Sequence, residues 1–183
     1  MKNTSILVVT GSVRPNNVNE KIVLLVREQL NKKGANVIIA NLGELGLPFF
    51  DSPYAPTNPA FAPSDERVQK WTAMVDTADG VVFVTPEYNH TMSPVQLNAI
   101  DWIGKEWIDK HIALIGYGWT SGGGKAHDTA REALAANLKA NVGEKQTNLF
   151  FTKDISPDGT VIDEAGVTSK ISETLNELIA AIK

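Results

Sequence analysis

Gly80-Val81-Val82-Phe83-Val84 is an uninterrupted apolar run, with no polar residue on either alternate face. A strand that is apolar on both sides has to be covered on both sides. That is the situation of a parallel strand sandwiched between helical layers, not of a half-solvated antiparallel one. The run ends abruptly in Thr85-Pro86-Glu87-Tyr88-Asn89-His90. Open α/β sheets bind ligands beyond the C-terminal ends of their strands. This one segment therefore predicts the class of sheet, the edge that carries the site, and a loop that lines it.

The rest of the chain alternates between two apolar periods. Residues 5–10 read as a first strand. Residues 17–33 read as a helix with Ile22, Leu25, Val26 and Leu30 on one face, Asn17 and Glu20 at capping-box spacing, and Gly34 as its stop. Residues 36–40 form a second strand. Residues 43–65 hold five of the nine prolines and little periodicity, and read as a long surface loop. Val68, Trp71, Val75 and Ala78 mark a helix, followed by the strand of the opening run. Ser93-Pro94 reads as an N-cap with proline at the first helical position, in a helix running to about Trp102. Residues 112–115 are a fourth strand. Gly122-Gly123-Gly124 leads into a helix with Ala126, Ala130, Ala133, Leu134 and Leu138. Leu149-Phe150-Phe151 lie in a fifth strand, and Val167, Ile171, Leu175, Leu178 and Ile182 mark a last helix.

Five strands alternating with five helices predict one three-layer α/β domain over residues 1–183, with a five-stranded parallel sheet. Strand order 2-1-3-4-5 suits this count, and periodicity leaves other doubly wound five-strand orders open. An apolar fraction of 43% is enough for a full core. A net charge of −4 without clustered Lys or Arg argues against nucleic acid as a partner. Cysteine is absent, which excludes disulfides, thiolate metal sites and a Cys nucleophile. No apolar run approaches the roughly 20 residues of a membrane helix, so no membrane partner is expected and the cytosol is the simplest location.

Three loops leave C-terminal strand ends. The first, Gly11-Ser12-Val13-Arg14-Pro15-Asn16-Asn17-Val18-Asn19, offers a hydroxyl, a guanidinium, amides and a helix N-terminus. It reads either as an anion site or as an ordinary βα turn with a capping Asn. The second is the opening loop. The third, Gly118-Trp119-Thr120-Ser121-Gly122-Gly123-Gly124, lets backbone approach a flat ligand. Trp119 and Tyr88 are placed to flank such a ligand or simply to pack. The phosphate-loop pattern of nucleoside triphosphatases fails here, with Trp119 at its first glycine and Ala126 at its Ser/Thr position. The dinucleotide fingerprint fails as well, with Ser121 at its third glycine. Ser121 is not in a nucleophile elbow. His90, His111 and His127 lack metal-ligand spacing, so no metal is expected. His111 reads as structural and His127 as exposed.

Taken together, these segments resemble the NADPH-dependent FMN reductase family of the flavodoxin-like superfamily. Gly11, Ser12, Arg14 and Asn19 match its Gly-Ser-x-Arg-x-x-Ser-x-Asn loop, with Asn17 in place of the usual Ser. Pro86, Glu87, Tyr88 and Asn89 match its Pro-Glu-Tyr-Asn loop in full. Asn98-Ala99-Ile100-Asp101-Trp102 and Ser121-Gly122-Gly123 match two further elements. Departures are Ser93-Pro94 for a common Pro-Gly, Gln96-Leu97 for Leu-Lys, and a shorter third loop with Gly124-Lys125.

The resemblance implies a flavodoxin-like fold and noncovalent FMN. Its phosphate is expected on Ser12, Arg14, Asn17, Val18 and Asn19, and its ring along Pro86, Glu87, Tyr88 and Asn89. Gly118, Thr120, Ser121, Gly122 and Gly123 are expected to close the other side. It also implies NADPH or NADH as co-substrate, hydride transfer through the flavin with ping-pong kinetics, and no catalytic side chain. Expected acceptors are quinones, azo compounds, free flavin or metal ions. A homodimer or homotetramer is expected, with Trp102, Trp107 and the 43–65 loop as interface pieces or, for the tryptophans, internal packing. Two other readings stay open: a flavodoxin-like electron carrier, and a nonenzymatic FMN- or phosphate-binding module.

Overall fold

The computed structural model describes residues 4–183. Its elements run β1 (Ser5–Val9), α1 (Asn19–Lys32), β2 (Asn36–Ala40), α2 (Leu42–Leu45), α3 (Glu66–Thr77), β3 (Gly80–Pro86), α4 (Pro94–Asp101), β4 (His111–Gly118), α5 (Gly124–Arg131), β5 (Asn141–Phe150) and α6 (Glu164–Ile182). The sheet is parallel throughout, in the order β2-β1-β3-β4-β5. All seven residues of β3 are buried, as its sequence requires.

Strand alternation divides the interior in two. Leu7, Val9, Val81, Phe83, Ile112 and Leu114 face α3, α4 and α5, where Trp71, Val75, Ile100, Ala126 and Ala130 meet them. Ile6, Val8, Val82, Val84, Ala113 and Ile115 face α1 and α6, against Ile22, Val26, Leu30, Ile171 and Leu175. The small Ala126 and Ala130 let α5 pack close to the sheet.

The helix ends follow local chemistry. Asn17 Oδ1 accepts the Glu20 N–H at 3.3 Å, while the first helical residue is Asn19. Gly34, at φ 78°, ends α1 in the left-handed conformation. Ser93 precedes Pro94 as expected, but its buried hydroxyl donates to Gln96 Oε1 rather than capping the helix.

Three features depart from the sequence reading. β5 begins at Asn141, because its first half is polar and lies at a sheet edge, so it shows no apolar period. Two short elements, α2 and a 3₁₀ turn at Lys105–Trp107, are added, and α5 continues as a π-helical stretch, Glu132–Asn137. The 43–65 loop is irregular beyond α2 yet pinned: Pro48 C=O accepts from Trp102 Nε1 and Asn98 Nδ2, both at 2.8 Å. Phe50 packs edge-on against Trp102 at 5.0 Å. Trp102 and Trp107 are both buried within the chain.

Candidate functional site

β1 stops at Val9, paired with Phe83, so β3 runs on without a backbone neighbour on that side. The Val84 carbonyl is met instead by side chains, Asn19 Nδ2 at 2.9 Å and Gln96 Nε2 at 3.1 Å. Asn19 Oδ1 also accepts the Gly11 N–H at 3.0 Å. The fully buried Asn19 thus ties both ends of the first loop to β3 and presents no surface to a ligand. A Cβ on Gly11 would lie 2.4 Å from Val84 O, so this approach requires glycine.

The remaining groups of the loop face outward. Asn17 Nδ2 donates to Arg14 C=O at 2.7 Å, closing the turn. Asn16 lies at φ 52°. Among the described residues, none accepts from the N–H groups of Asn16, Asn17 or Val18. These donors lie at or just before the positive end of α1, with Arg14 nearby.

The loop after β3 is a two-residue hairpin. Tyr88 N–H donates to Thr91 C=O at 3.1 Å and Thr91 N–H to Tyr88 C=O at 3.0 Å. Asn89 and His90 sit between them at φ 49° and 62°, the two left-handed positions of a type I′ turn. Glu87 N–H is taken by Tyr117 C=O at 3.0 Å. Pro86 has no N–H, so Asn89 carries the one backbone donor of Pro86-Glu87-Tyr88-Asn89 that is still available. Tyr88 Oη lies 2.9 Å from Ser12 Oγ and joins the first loop to the second.

Glu87 joins the second loop to the third. Its carboxylate, with only 6% of the side chain exposed, accepts from the Ser121 hydroxyl and from Lys125 N–H at 3.3 Å, and has His90 Nδ1 at 3.4 Å. Gly123, at φ 98°, packs on β4, where a Cβ would fall 2.4 Å from Gly116 Cα. The Asn148 amide holds Ser121 C=O at 3.1 Å.

Between the loops lies a cavity of about 310 Å³, within the range of small-molecule sites. Of the residues expected at the site, Ser12, Arg14, Asn17, Val18, Pro86, Glu87, Tyr88 and Gly118 line it. Asn19, Asn89, Thr120, Ser121, Gly122 and Gly123 do not line it. Asn19 and Ser121 act one step back, holding the loops that do.

Sequence reasoning missed Tyr117, Phe151 and Pro157 as lining residues. Tyr117 and Phe151 meet edge to face at 6.0 Å, and Phe151 packs on Trp119 at 5.1 Å. Burial pushes the Tyr117 phenol well above its usual range. The chain leaving β5 reaches this edge through Asp154, a buried carboxylate held by Lys170 at 2.6 Å and by Phe150 N–H at 2.8 Å. Only the aromatic pair Phe150-Phe151 at the end of the fifth strand hinted at this wall.

His127, expected to be exposed, is fully buried under the third loop with neither ring nitrogen bonded. Burial, with Arg131 adding repulsion and Asp128 opposing it, lowers its pKa to about 4. A Cβ on Gly116 would lie 2.6 Å from its Nε2.

Known proteins resemble this chain in sequence and in fold. An "NAD(P)H-dependent FMN reductase ntnL" of Nectria sp. is 27% identical over 97% of this chain and 96% of its own. An "NAD(P)H-dependent FMN reductase LOT6" of Saccharomyces cerevisiae is 30% identical over 74% of this chain and 75% of its own. Among solved structures, the flavoenzyme NAD(P)H:(acceptor) oxidoreductase FerB of Paracoccus denitrificans superposes with a TM-score of 0.76. It is 20% identical, over 97% of this chain and 98% of that one. Residues 4–151 match the NADPH-dependent FMN reductase family, and the chain belongs to that family.

Proposed function

We propose that the cavity at the C-terminal edge of β1, β3 and β4 holds FMN noncovalently and that the protein uses it to reduce small planar or inorganic acceptors with NADPH or NADH. The observation that carries the placement is the donor set. Arg14, the Ser12 hydroxyl and the unpartnered N–H groups of Asn16, Asn17 and Val18 gather at one end of the cavity, as a phosphate dianion needs. Tyr88, Tyr117 and Phe151 give the cavity aromatic walls as well. The residues present therefore fit FMN, phosphate toward the first loop and ring toward the second.

Bound there, FMN would supply the redox chemistry, the two-electron exchange between a nicotinamide and an acceptor. With a quinone the balance is NAD(P)H plus quinone plus a solvent proton, giving NAD(P)⁺ and hydroquinone. The chain's own residues bind and orient. Ser12–Tyr88 and Glu87–Ser121 fix the three loops relative to one another. With the Glu87 and Tyr88 N–H groups taken, the Asn89 N–H is a backbone donor still open on the second loop, just beyond the residues that line the cavity. No side chain is assigned to proton transfer.

We further propose that the working form is a homodimer in the cytosol, where the NAD(P)H pool lies. Its support is an apolar hollow of about 260 Å³ beside the first loop, with Val13, Leu42, Leu47, Phe49 and Val95 among its walls. Phe49, 84% exposed, replaces the tryptophans as the interface piece. Elution at monomer mass at micromolar concentration, with activity retained, would count against the dimer.

The purified protein tests the main reading. A yellow, FMN-containing preparation that oxidises NADPH in the presence of a quinone is the expected result. A yellow protein inert to both nicotinamides would instead be an electron carrier. A colourless protein that takes up no FMN would refute the cofactor site.

A further inference from the structure

The four tryptophans divide sharply. Trp71, Trp102 and Trp107 are buried, and each indole N–H donates to a backbone carbonyl, of Ala99 at 2.7 Å, Pro48 at 2.8 Å and Ile100 at 3.2 Å respectively. Trp119 is 63% exposed, and its indole N–H has no partner among the described residues. A lone exposed aromatic usually needs no explanation. This one lines the cavity and is not loose. Its ring packs on Phe151 at 5.1 Å and 56°, and Phe151 in turn packs on Tyr117. The strand-like pairing of Gly118 C=O with Phe151 N–H at 3.0 Å holds the backbone beside it. The side chain is thus a braced flat face at the mouth of the site, with a free N–H on its edge.

We propose that Trp119 is the residue that selects planar aromatic acceptors carrying a hydrogen-bond acceptor, quinones above all, over compact inorganic oxidants. A face of this kind gains from stacking with a flat ring, and its N–H suits a ring carbonyl. An octahedral metal complex has no flat ring to lay on that face. Arg14 and the open N–H groups lie on the first loop and, in that reading, hold the cofactor's phosphate, while the largely exposed ring of Trp119 keeps a face open for the acceptor. The proposal rests on the reading of the site as an FMN-dependent reductase.

Two variants and two measurements test it. In Trp119→Ala the ratio of kcat/KM for 1,4-naphthoquinone to that for ferricyanide should fall about tenfold, the scale of one lost aromatic pair. Trp119→Phe, which keeps a flat face, should restore most of it. Because the other tryptophans are buried, Trp119 is also a built-in reporter. Titration with 1,4-naphthoquinone, without nicotinamide, should quench the solvent-exposed part of the tryptophan emission in the parent protein and not in Trp119→Phe.

An unchanged acceptor ratio in Trp119→Ala overturns the proposal. So does FMN content falling in step with quinone turnover, which would make Trp119 a wall for the cofactor, or a change in oligomeric mass, which would make it an interface residue. If no acceptor is reduced by the parent protein, the reductase reading itself fails, and the quenching titration still decides whether Trp119 binds the planar ring.

Discussion

Asn19 and Arg14 lie in one loop and do opposite work. Asn19 is spent on Gly11 N–H and Val84 C=O, and Gln96 backs it up at the carbonyl but not at the N–H. Asn19→Ala should therefore strand a buried donor and lower stability by about 1–3 kcal/mol, read as a lower urea midpoint at unchanged slope. Arg14→Ala should leave the urea midpoint in place and weaken FMN binding by about 1.5–3 kcal/mol, the worth of a hydrogen bond to a charged group, measured by fluorescence titration. Unchanged FMN affinity would remove Arg14 from the phosphate site.

His127 makes a separate prediction at the same scale. The unfolded chain takes up its proton near the ordinary 6.5, and the folded chain only near 4. The unfolded state thus binds more protons between these values, and stability falls as pH falls from 6.5 to about 4, then levels off. The loss from this one group is on the order of 3 kcal/mol. His127→Leu, which removes two unbonded buried nitrogens, should flatten that part of the pH–stability curve.

Elements differ in how openly their sequences declare them. β3 is legible because both its faces are buried. The first half of β5 is hidden because an exposed edge strand needs no apolar alternation. The hairpin turn after β3 escapes notice because Asn89-His90 lacks the glycine that usually marks a type I′ turn. His127 was misplaced because it adjoins the alanine stripe of α5, where Ala126 and Ala130 draw the helix so close that the ring is enclosed as well. The site motifs told which loops meet, but not which of their residues face the cavity. That division depends on who satisfies Val84 C=O and the Glu87 carboxylate, which are contacts between segments far apart in sequence.

Gly123 carries the geometry of the third loop. Gly123→Ala would need an L-residue at φ 98° and would drive a Cβ into Gly116 and Tyr117 N. Strain and overpacking together should cost at least about 2 kcal/mol. Because the same movement displaces Ser121 from Glu87, FMN affinity should fall with stability. A variant as stable as the parent would show that the loop is freer than its packing on β4 implies.

At the scale of the whole molecule, the sheet and its two helical layers place the site without depending on a ligand for their core. The loops are tied to one another by side-chain bonds, among them Ser12 to Tyr88 and Glu87 to Ser121. A ligand that spans them should therefore register as stability of the entire chain, because a group bound by the native state alone shifts the unfolding equilibrium by mass action. With free FMN at a hundredfold over its dissociation constant the gain is about 2.7 kcal/mol. For a chain of 183 residues that corresponds to a rise in Tm of about 5–10 °C. Riboflavin, which lacks the phosphate, should give a distinctly smaller shift, and in Arg14→Ala the two flavins should converge. Equal shifts for FMN and riboflavin in the parent protein would mean that the first loop does not hold the phosphate, even if the ring binds where the aromatic wall predicts.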